Sequence, residues 1–267
     1  MKMRGIQVER FGGPGSLQLR HDLVPPRVGD NEVLVQNHFA GVNFKDLLLC
    51  RGEYHGGNPN LPFIPGIEAS GVISEVGRNV GSWKVGQRVV YMTGSMDSQH
   101  NQCYAEYNRV SAAGSIREIP EDISFEHACA LVIQGLTMHY LTTDCYAPSP
   151  GETVLVHGGG GGLGQLMVSR LKAMGAVVVT TASSEAKQDA ARSAGADLVI
   201  DYSTCDFAEA LKAAFPSGVH CVFDGIGRPT FLKGLSCLRK KGTMVLYGNA
   251  GGAHPEPIPP TLLTQMG

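Results

Sequence analysis

The stretch that decides the fold is Thr153-Val154-Leu155-Val156-His157-Gly158-Gly159-Gly160-Gly161-Gly162-Leu163-Gly164. A short run suited to a buried strand passes directly into consecutive glycines, and an amphipathic segment, Leu163 to Met174, follows. Gly159-x-Gly161-x-x-Gly164 satisfies the dinucleotide-binding fingerprint in the strand–turn–helix context that gives it meaning. Glycine lets the backbone turn sharply and approach a pyrophosphate, whose charge then meets unsatisfied amides at the helix start. A glycine run of this length fits many spacings, so a plain flexible loop is the competing reading and the flanking elements decide between the two.

Toward the C-terminus the same grammar repeats. Val177-Val178-Val179-Thr180 reads as the next strand, with Glu185 to Ala194 as its helix. Leu198-Val199-Ile200, a helix around Phe207 to Ala214, Cys221-Val222-Phe223 and Thr243-Met244-Val245-Leu246-Tyr247 continue the pattern. Short apolar strands separated by helices require βαβ crossovers, so the fold class here is α/β, a doubly wound parallel sheet of the Rossmann type.

Toward the N-terminus the grammar changes near Ser124. Glu126 to Tyr146 holds two apolar helical patterns. Before it, Glu32-Val33-Leu34-Val35-Gln36 and Gln87-Arg88-Val89-Val90-Tyr91 are strand-like, and Gly12-Gly13-Pro14-Gly15 is a turn cluster. Phe44 to Arg51 is one short helix among them. Two domains are expected: residues 1–125, irregular and β-rich, and residues 126–267, carrying the nucleotide fold.

Composition narrows the partners. The 267 residues are 43% hydrophobic and 17% charged, as in an ordinary globular protein. The formal net charge is -2 with no block of like charge, which argues against nucleic acid or an anionic membrane as the main partner. The start, Met1-Lys2-Met3-Arg4-Gly5-Ile6, lacks the apolar core of a signal peptide, and no apolar run is long enough to span a bilayer. Cysteines at 50, 103, 129, 145, 205, 221 and 237 are odd in number and never in Cys-x-x-Cys spacing. Scattered reduced thiols in a cytoplasmic protein are the expectation.

The end of the second strand of the nucleotide fold selects the cofactor. NAD-preferring folds place an acid there to bind the ribose 2′-hydroxyl. This chain reads Thr180-Thr181-Ala182-Ser183-Ser184, with no acid before Glu185. Ser183, Ser184 and Lys187 instead offer hydroxyls and a cation suited to a 2′-phosphate. Taken alone, Lys187 would be a solvated helix lysine; the missing acid favours NADPH over NADH.

Further motifs carry a resemblance. Ala40-Gly41-Val42-Asn43-Phe44-Lys45-Asp46, Leu61-Pro62-Phe63-Ile64-Pro65-Gly66-Ile67-Glu68-Ala69-Ser70-Gly71 and Val85-Gly86-Gln87-Arg88-Val89 stand in the first half. Gln134-Gly135-Leu136-Thr137, Pro150-Gly151-Glu152-Thr153, Gly195-Ala196-Asp197 and Tyr247-Gly248-Asn249 stand in the second. Across nearly its whole length the chain resembles the zinc-free, zeta-crystallin-like quinone oxidoreductases of the medium-chain dehydrogenase/reductase superfamily. The resemblance implies a GroES-like β-rich substrate domain, a Rossmann domain and a cleft between them.

Zinc is judged residue by residue. Zinc-dependent relatives carry Cys where this chain has Asn43 and His where it has Ile67, leaving only Glu68 of a catalytic set that needs about three ligands. The stretch matching their structural zinc site offers only Cys103. No metal is expected. The resemblance then implies roles for single residues. Asn43 lies near nicotinamide and substrate, Tyr54 over the substrate, and Thr137 at the nicotinamide end. Gly161, Gly162, Leu163 and Gly164 cradle the pyrophosphate, and Ser183, Lys187 and Tyr202 hold the 2′-phosphate. Gly225, Tyr247, Gly248 and Asn249 line the cofactor. Plain structural alternatives stand beside these roles: a helix cap for Asn43, surface aromatics for Tyr54 and Tyr202, and a bond to its own helix backbone for Thr137. Asp46 and Glu68 read as structural rather than as acid catalysts.

Two departures are visible. Relatives place alanines before the glycine pair where this chain has Gly158, Gly159 and Gly160, so a softer loop with weaker binding is expected. Relatives also continue past the Pro-rich end of this chain with a strand that pairs across a homodimer. A truncated chain, less stable and more prone to associate at the strand near Met244 to Tyr247, is the expectation. The function expected is NADPH-dependent reduction of a quinone, by one- or two-electron steps. Reduction of an activated carbon–carbon double bond in an enal or enone is the alternative on the same scaffold. A non-catalytic nucleotide-sensing or RNA-binding protein is the alternative of another class.

Overall fold

The computed structural model of the chain describes residues 2–54, 56–93, 103–252 and 257–262. Of the Pro-rich end, residues 253–256 and 263–267 lie outside these. The chain divides into two compact units, Met1–Ile133 and Gln134–Gly267.

In the first unit a strand hairpin, β1 (Met3–Val8) with β2 (Leu17–Leu23), precedes β3 (Glu32–Ala40) and helix α1 (Phe44–Arg51). Then come β4 (Glu68–Val76), β5 (Arg88–Met92), β6 (Tyr107–Ser111) and β7 (Ile116–Glu118). The last five strands of the unit form one antiparallel sheet in the order β6-β3-β4-β5-β7. Val33, Val35, Ala69, Ile73, Val89 and Tyr91 supply its core. Such a sheet buries one face and wets the other, which explains why Val89 and Tyr91 alternate with less buried neighbours along β5. The Gly12–Gly15 turn cluster forms a short 3-10 turn over Gly13–Ser16. Helix α1 matches its sequence reading and stops at Gly52, whose φ of 73° is the left-handed C-cap glycine favours.

Helix α2 (Phe125–Tyr140) carries the chain from one unit to the next. The sequence suggests two helical patterns here, whereas the structure has one helix ending in a wide turn over Leu141–Cys145. The physical reason is visible in the threonines. Thr142 and Thr143 donate their hydroxyls to the carbonyls of Met138 and His139, which competes with the regular ladder and opens the last turn.

The second unit alternates strictly: β8 (Thr153–His157), α3 (Gly162–Ala173), β9 (Val177–Ala182), α4 (Glu185–Ser193), β10 (Leu198–Asp201), α5 (Phe207–Ala214), β11 (Val219–Asp224), α6 (Phe231–Leu235) and β12 (Leu238–Leu246). All five strands are parallel, in the order β10-β9-β8-β11-β12. Strand β8 is buried along its whole length. Val154 and Val156 pack beneath α3 on Met167, Val168 and Leu171, while Leu155 faces Phe207 and Leu211 of α5. Burial on both faces is why its sequence is continuously apolar. Chain order reverses between β8 and β11, so the carboxyl ends of those strands form the switch point at which such sheets bind ligands. The helix α6 has no counterpart in the sequence reading. Strand β12 begins earlier than the sequence suggests and ends at Leu246, because Leu238 already pairs with Val219 and a bulge at Lys241 (φ 61°) realigns the register.

Among the described residues no helix is long and apolar enough to cross a membrane. We expect Leu155→Ala, at the centre of the parallel sheet, to cost about 2–5 kcal/mol in denaturant unfolding. Leu136→Ala, at a residue 58% exposed on α2, should stay within about 0.5 kcal/mol.

Candidate active site

The glycine loop leaves β8 through Gly158, whose φ of 76° places it in the left-handed region. The buried Thr180 of β9 holds the loop from below. Its hydroxyl donates to the Val156 carbonyl at 2.6 Å and accepts from Gly159 N–H at 2.9 Å. One step on, the Thr181 hydroxyl accepts from Gly158 N–H at 3.2 Å. A methyl at Gly159 would overlap the Thr180 side chain, and one at Gly160 would overlap the Lys187 carbonyl. One at Gly162 would meet Gln134, and one at Gly164 the Gly158 carbonyl.

The expectation of a softer loop is corrected at this point. Gly159 is a close approach whose amide is bonded to Thr180 and Thr181, and the space an alanine methyl would fill is taken by Thr180. Gly161 caps α3, whose first turn carries no acid. The first-turn amides of a helix have no intrahelical partner, so Gly162, Leu163 and Gly164 present an anion-binding start.

Of the residues read as a 2′-phosphate site, Ser183 and Tyr202 follow the neighbouring strands β9 and β10, and Lys187 lies on α4. Ser183 follows β9, and its carbonyl accepts from Ser203, the residue after Tyr202. Lys187 sits in the first turn of α4, its backbone against Gly160, and its side chain is exposed. Tyr202 follows β10 and is about half exposed. Sequence reading missed Asp201, whose register partner is Ala182 at the end of β9. Its carboxylate is taken up by Ser203 and Gln188, and the Ser203 hydrogen bonds hold it below the usual carboxylate range. β9 itself ends at Ala182, and the carboxylate beside that end is the one on β10.

A cavity of about 290 Å³ opens beside these strand ends, lined by His157, Gly158, Thr181, Tyr202, Ile226 and Thr230 among others. His157 is buried, its Nδ1 is 3.1 Å from the Thr181 hydroxyl, and its ring stands edge-on to Phe207. Burial pushes its pKa down to about 4, against an opposing pull from Asp224. Sequence reading did not single out His157, because nothing in its spacing distinguishes it from any strand-end residue.

Across the switch point, Asp224 ends β11 buried, accepting from the amides of Ile226 and Gly227 and from the Thr230 hydroxyl. A Cβ on Gly225 would fall 2.7 Å from the Tyr247 ring, and one on Gly248 the same distance from the Gly225 carbonyl. Gly225, Tyr247 and Gly248 are thus brought into mutual contact, with Asn249 next in the chain. Thr137 is half-buried on α2. The threonines that bond back to their own helix are Thr142 and Thr143.

In the first unit, Asn43 is the N-cap residue of α1. Its backbone N–H donates to Asp46 at 2.9 Å, and its side-chain amide donates to Glu68 at 2.8 Å. Glu68 is buried and takes Ile133 N–H on its other oxygen. Asp46, also buried, accepts from the Tyr104 hydroxyl at 2.9 Å. Burial is the chief cause that raises both carboxyl pKa values. Tyr54 packs against the cluster of Val8, Leu49, Cys50 and Phe63, with the Lys45 ammonium 4.7 Å above its ring.

This donor set does not suit a catalytic zinc. Asn43 and Ile67 provide no anionic or imidazole ligand, and both Glu68 oxygens already accept hydrogen bonds. Among the described residues no three His, Cys, Asp or Glu side chains are grouped to hold a metal.

An antiparallel GroES-like unit together with a five-stranded parallel nucleotide fold defines the medium-chain dehydrogenase/reductase class. Family models agree: residues 29–170 match the alcohol dehydrogenase GroES-like domain, and residues 162–267 match the zinc-binding dehydrogenase domain. Quinone oxidoreductase 1 of Escherichia coli is 36% identical over 249 residues, spanning 93% of this chain and 73% of that protein. The 2-haloacrylate reductase of a Burkholderia species is 33% identical, over 94% of this chain and 74% of that one. The crystal structure of the Escherichia coli quinone oxidoreductase complexed with NADPH superposes with a TM-score of 0.90 at 34% identity, covering 99% of this chain and 78% of that one. The chain belongs to the quinone oxidoreductase family of that superfamily.

Two outcomes follow from this geometry. Gly159→Ala should destabilise the fold, and Thr180→Gly should offset part of that loss when combined with it. A double-mutant cycle on unfolding free energies should give a coupling of about 0.5–3 kcal/mol, and strict additivity would count against the close approach. For His157, the folded pKa lies below the unfolded value near 6.5, so below that pH the unfolded chain binds the extra proton. Stability is therefore lost as pH falls from about 6.5 toward about 4, by up to about 3 kcal/mol. His157→Phe should remove that slope relative to the parent protein, measured by denaturant unfolding across the same pH range.

Proposed function

We propose that this chain is an NADPH-dependent quinone reductase that works without zinc. One observation carries the reading: a glycine loop opens α3 at the end of β8, and at the adjoining strand ends Ser183, Lys187 and Tyr202 stand where no carboxylate closes β9. In this reading residues 126–267 are the NADPH-binding domain and residues 1–125 the substrate and catalytic domain. Gly161, Gly162, Leu163 and Gly164 take the pyrophosphate through their amides. Ser183, Lys187 and Tyr202 take the 2′-phosphate, Lys187 as the cation. Thr137, Gly225, Tyr247, Gly248 and Asn249 line the remainder. When bound, NADPH supplies the hydride equivalent, and the protein supplies binding, orientation and exclusion of water.

Asn43 and Tyr54 are the polar groups assigned to the reaction. Asn43 is held from two sides and so presents a fixed hydrogen-bonding group to cofactor and quinone. Tyr54, anchored on its apolar cluster with its hydroxyl at the far end, bounds the substrate. The named activity of the Escherichia coli relative and the NADPH in its crystal structure support the substrate class and cofactor. A reducing, cytoplasmic setting belongs to the same reading and is supported by all seven cysteines being free.

A second reading has a specific observation in its favour. The similarity to a 2-haloacrylate reductase supports two-electron reduction of an activated carbon–carbon double bond on the same scaffold. Oxygen uptake during turnover with a quinone, against a saturated product from an enone, separates the two.

The test is a thermal-shift titration with NADPH and NADH, since binding raises the melting point even without turnover. A shift with NADPH that exceeds the shift with NADH is the expected result, and equal shifts would overturn the 2′-phosphate assignment. Lys187→Ala should weaken NADPH by about 1.5–3 kcal/mol, roughly ten- to a hundred-fold in Kd, and leave NADH unchanged.

A further inference from the structure

Asp201, the last residue of β10, stands among the three residues read as the 2′-phosphate site. Tyr202 follows it in the chain. Ser183 is joined to it through Ser203, whose hydroxyl lies 2.5 Å from Asp201 Oδ1 and 3.4 Å from the Ser183 carbonyl. Gln188, the residue after Lys187 on α4, donates its side-chain NH2 to Asp201 Oδ2 at 2.9 Å. The orientation of that amide is fixed from behind, because its oxygen accepts from Arg192 at 3.0 Å. The Ser203 N–H completes the set, 2.9 Å from Oδ1.

The donors that reach Asp201 are all uncharged. Hydrogen bonds from a hydroxyl, a carboxamide and a backbone amide favour the ionised carboxylate, and the Ser203 hydroxyl is the foremost cause that lowers the Asp201 pKa. They bring no positive charge to offset it. Among the described residues no Lys, Arg or His forms an ion pair with Asp201. The chain thus lacks an acid at the end of β9 and carries one on the neighbouring strand, opposite Ala182, partly exposed and with its charge intact.

We propose that Asp201 is a specificity-determining residue that works against the 2′-phosphate, so that the preference for NADPH over NADH is set by Lys187 against an opposing acid. The inference rests on the 2′-phosphate reading of Ser183, Lys187 and Tyr202. In NAD-preferring folds an acid on the second strand binds the ribose 2′-hydroxyl directly. Here the acid comes from the third strand, and its oxygens are spent on Ser203 and Gln188. What it contributes to a bound nucleotide is charge rather than a hydrogen bond. A phosphate monoester carries about -1.5 to -2 charge at pH 7, so the 2′-phosphate meets this repulsion in full. NADH lacks that group and escapes most of it.

The experiment titrates NADPH and NADH into the full chain, D201N and K187A, and reads Kd by calorimetry at low and at high ionic strength. In D201N the carboxamide keeps an oxygen for Ser203, so the turn after β10 is retained. NADPH should bind D201N about three- to tenfold more tightly than the parent, with NADH within about twofold of its parent value. The gain for NADPH should shrink at high ionic strength, which an altered packing would not reproduce. An unchanged or weaker NADPH Kd in D201N, a change shared equally by NADH, or a gain indifferent to salt each overturns the role of Asp201. K187A tests the site itself. Weaker NADPH binding in K187A, with D201N inert, leaves the phosphate site standing and removes only Asp201 from it. Unchanged NADPH binding in K187A overturns the 2′-phosphate reading, and this inference falls with it. Should D201N not fold, D201S, whose hydroxyl also accepts from the Ser203 N–H, is read in the same way.

Discussion

The second unit depends on how closely its loop backbone approaches the neighbouring strand. Thr180 bonds β8 through Val156 and the loop through Gly159 with one hydroxyl, fully buried beneath the glycines. That contact sets the height at which the chain leaves β8, and so where α3 begins and where its free amides point. Gly160 lies on the backbone of α4 and Gly164 on the Gly158 carbonyl. Loop, second strand and second helix therefore form one rigid corner, and no side chain larger than hydrogen fits at its contact points. A phosphate-binding loop works only if its amides are already oriented before the ligand arrives, because ordering a loose loop costs entropy at the moment of binding.

Much of this was legible in the sequence, for identifiable reasons. Strands buried on both faces are continuously apolar, so β8, β9 and β11 announce themselves, and helices between them follow from crossover geometry. The start of α1 was legible because Asn43 stands just before Phe44, where a helix cap belongs. The candidate site was legible in its glycines and in the missing acid after β9, both of which are backbone or absence signals that need no knowledge of partners.

The rest was hidden because it depends on contacts between residues distant in sequence. Nothing local to Thr180 says that its hydroxyl will occupy the place of a methyl at 159, so the loop looks looser on paper than it is. His157 is an ordinary strand-end residue until β9 and α5 close over it. The wide turn after α2 depends on which of several threonines bond backward, a choice set by side-chain rotamers. Glu68 and Asp46 read as structural, and they are buried, but their common target Asn43 emerges only when β4 is laid against the start of α1.

That convergence bears on how one scaffold serves different chemistry. A buried carboxylate is costly unless its oxygens are matched, and Glu68 is matched by two N–H donors from separate elements. Replacing ligand-type residues by Asn43 and Ile67 does not leave the acid stranded, because the asparagine amide supplies the donor that neutralises the local demand. What the two carboxylates secure around Asn43 is orientation: its backbone N–H is fixed by Asp46 and its side-chain amide by Glu68. Both acids are buried, so these bonds are made out of reach of competing water and hold the start of α1 against β4.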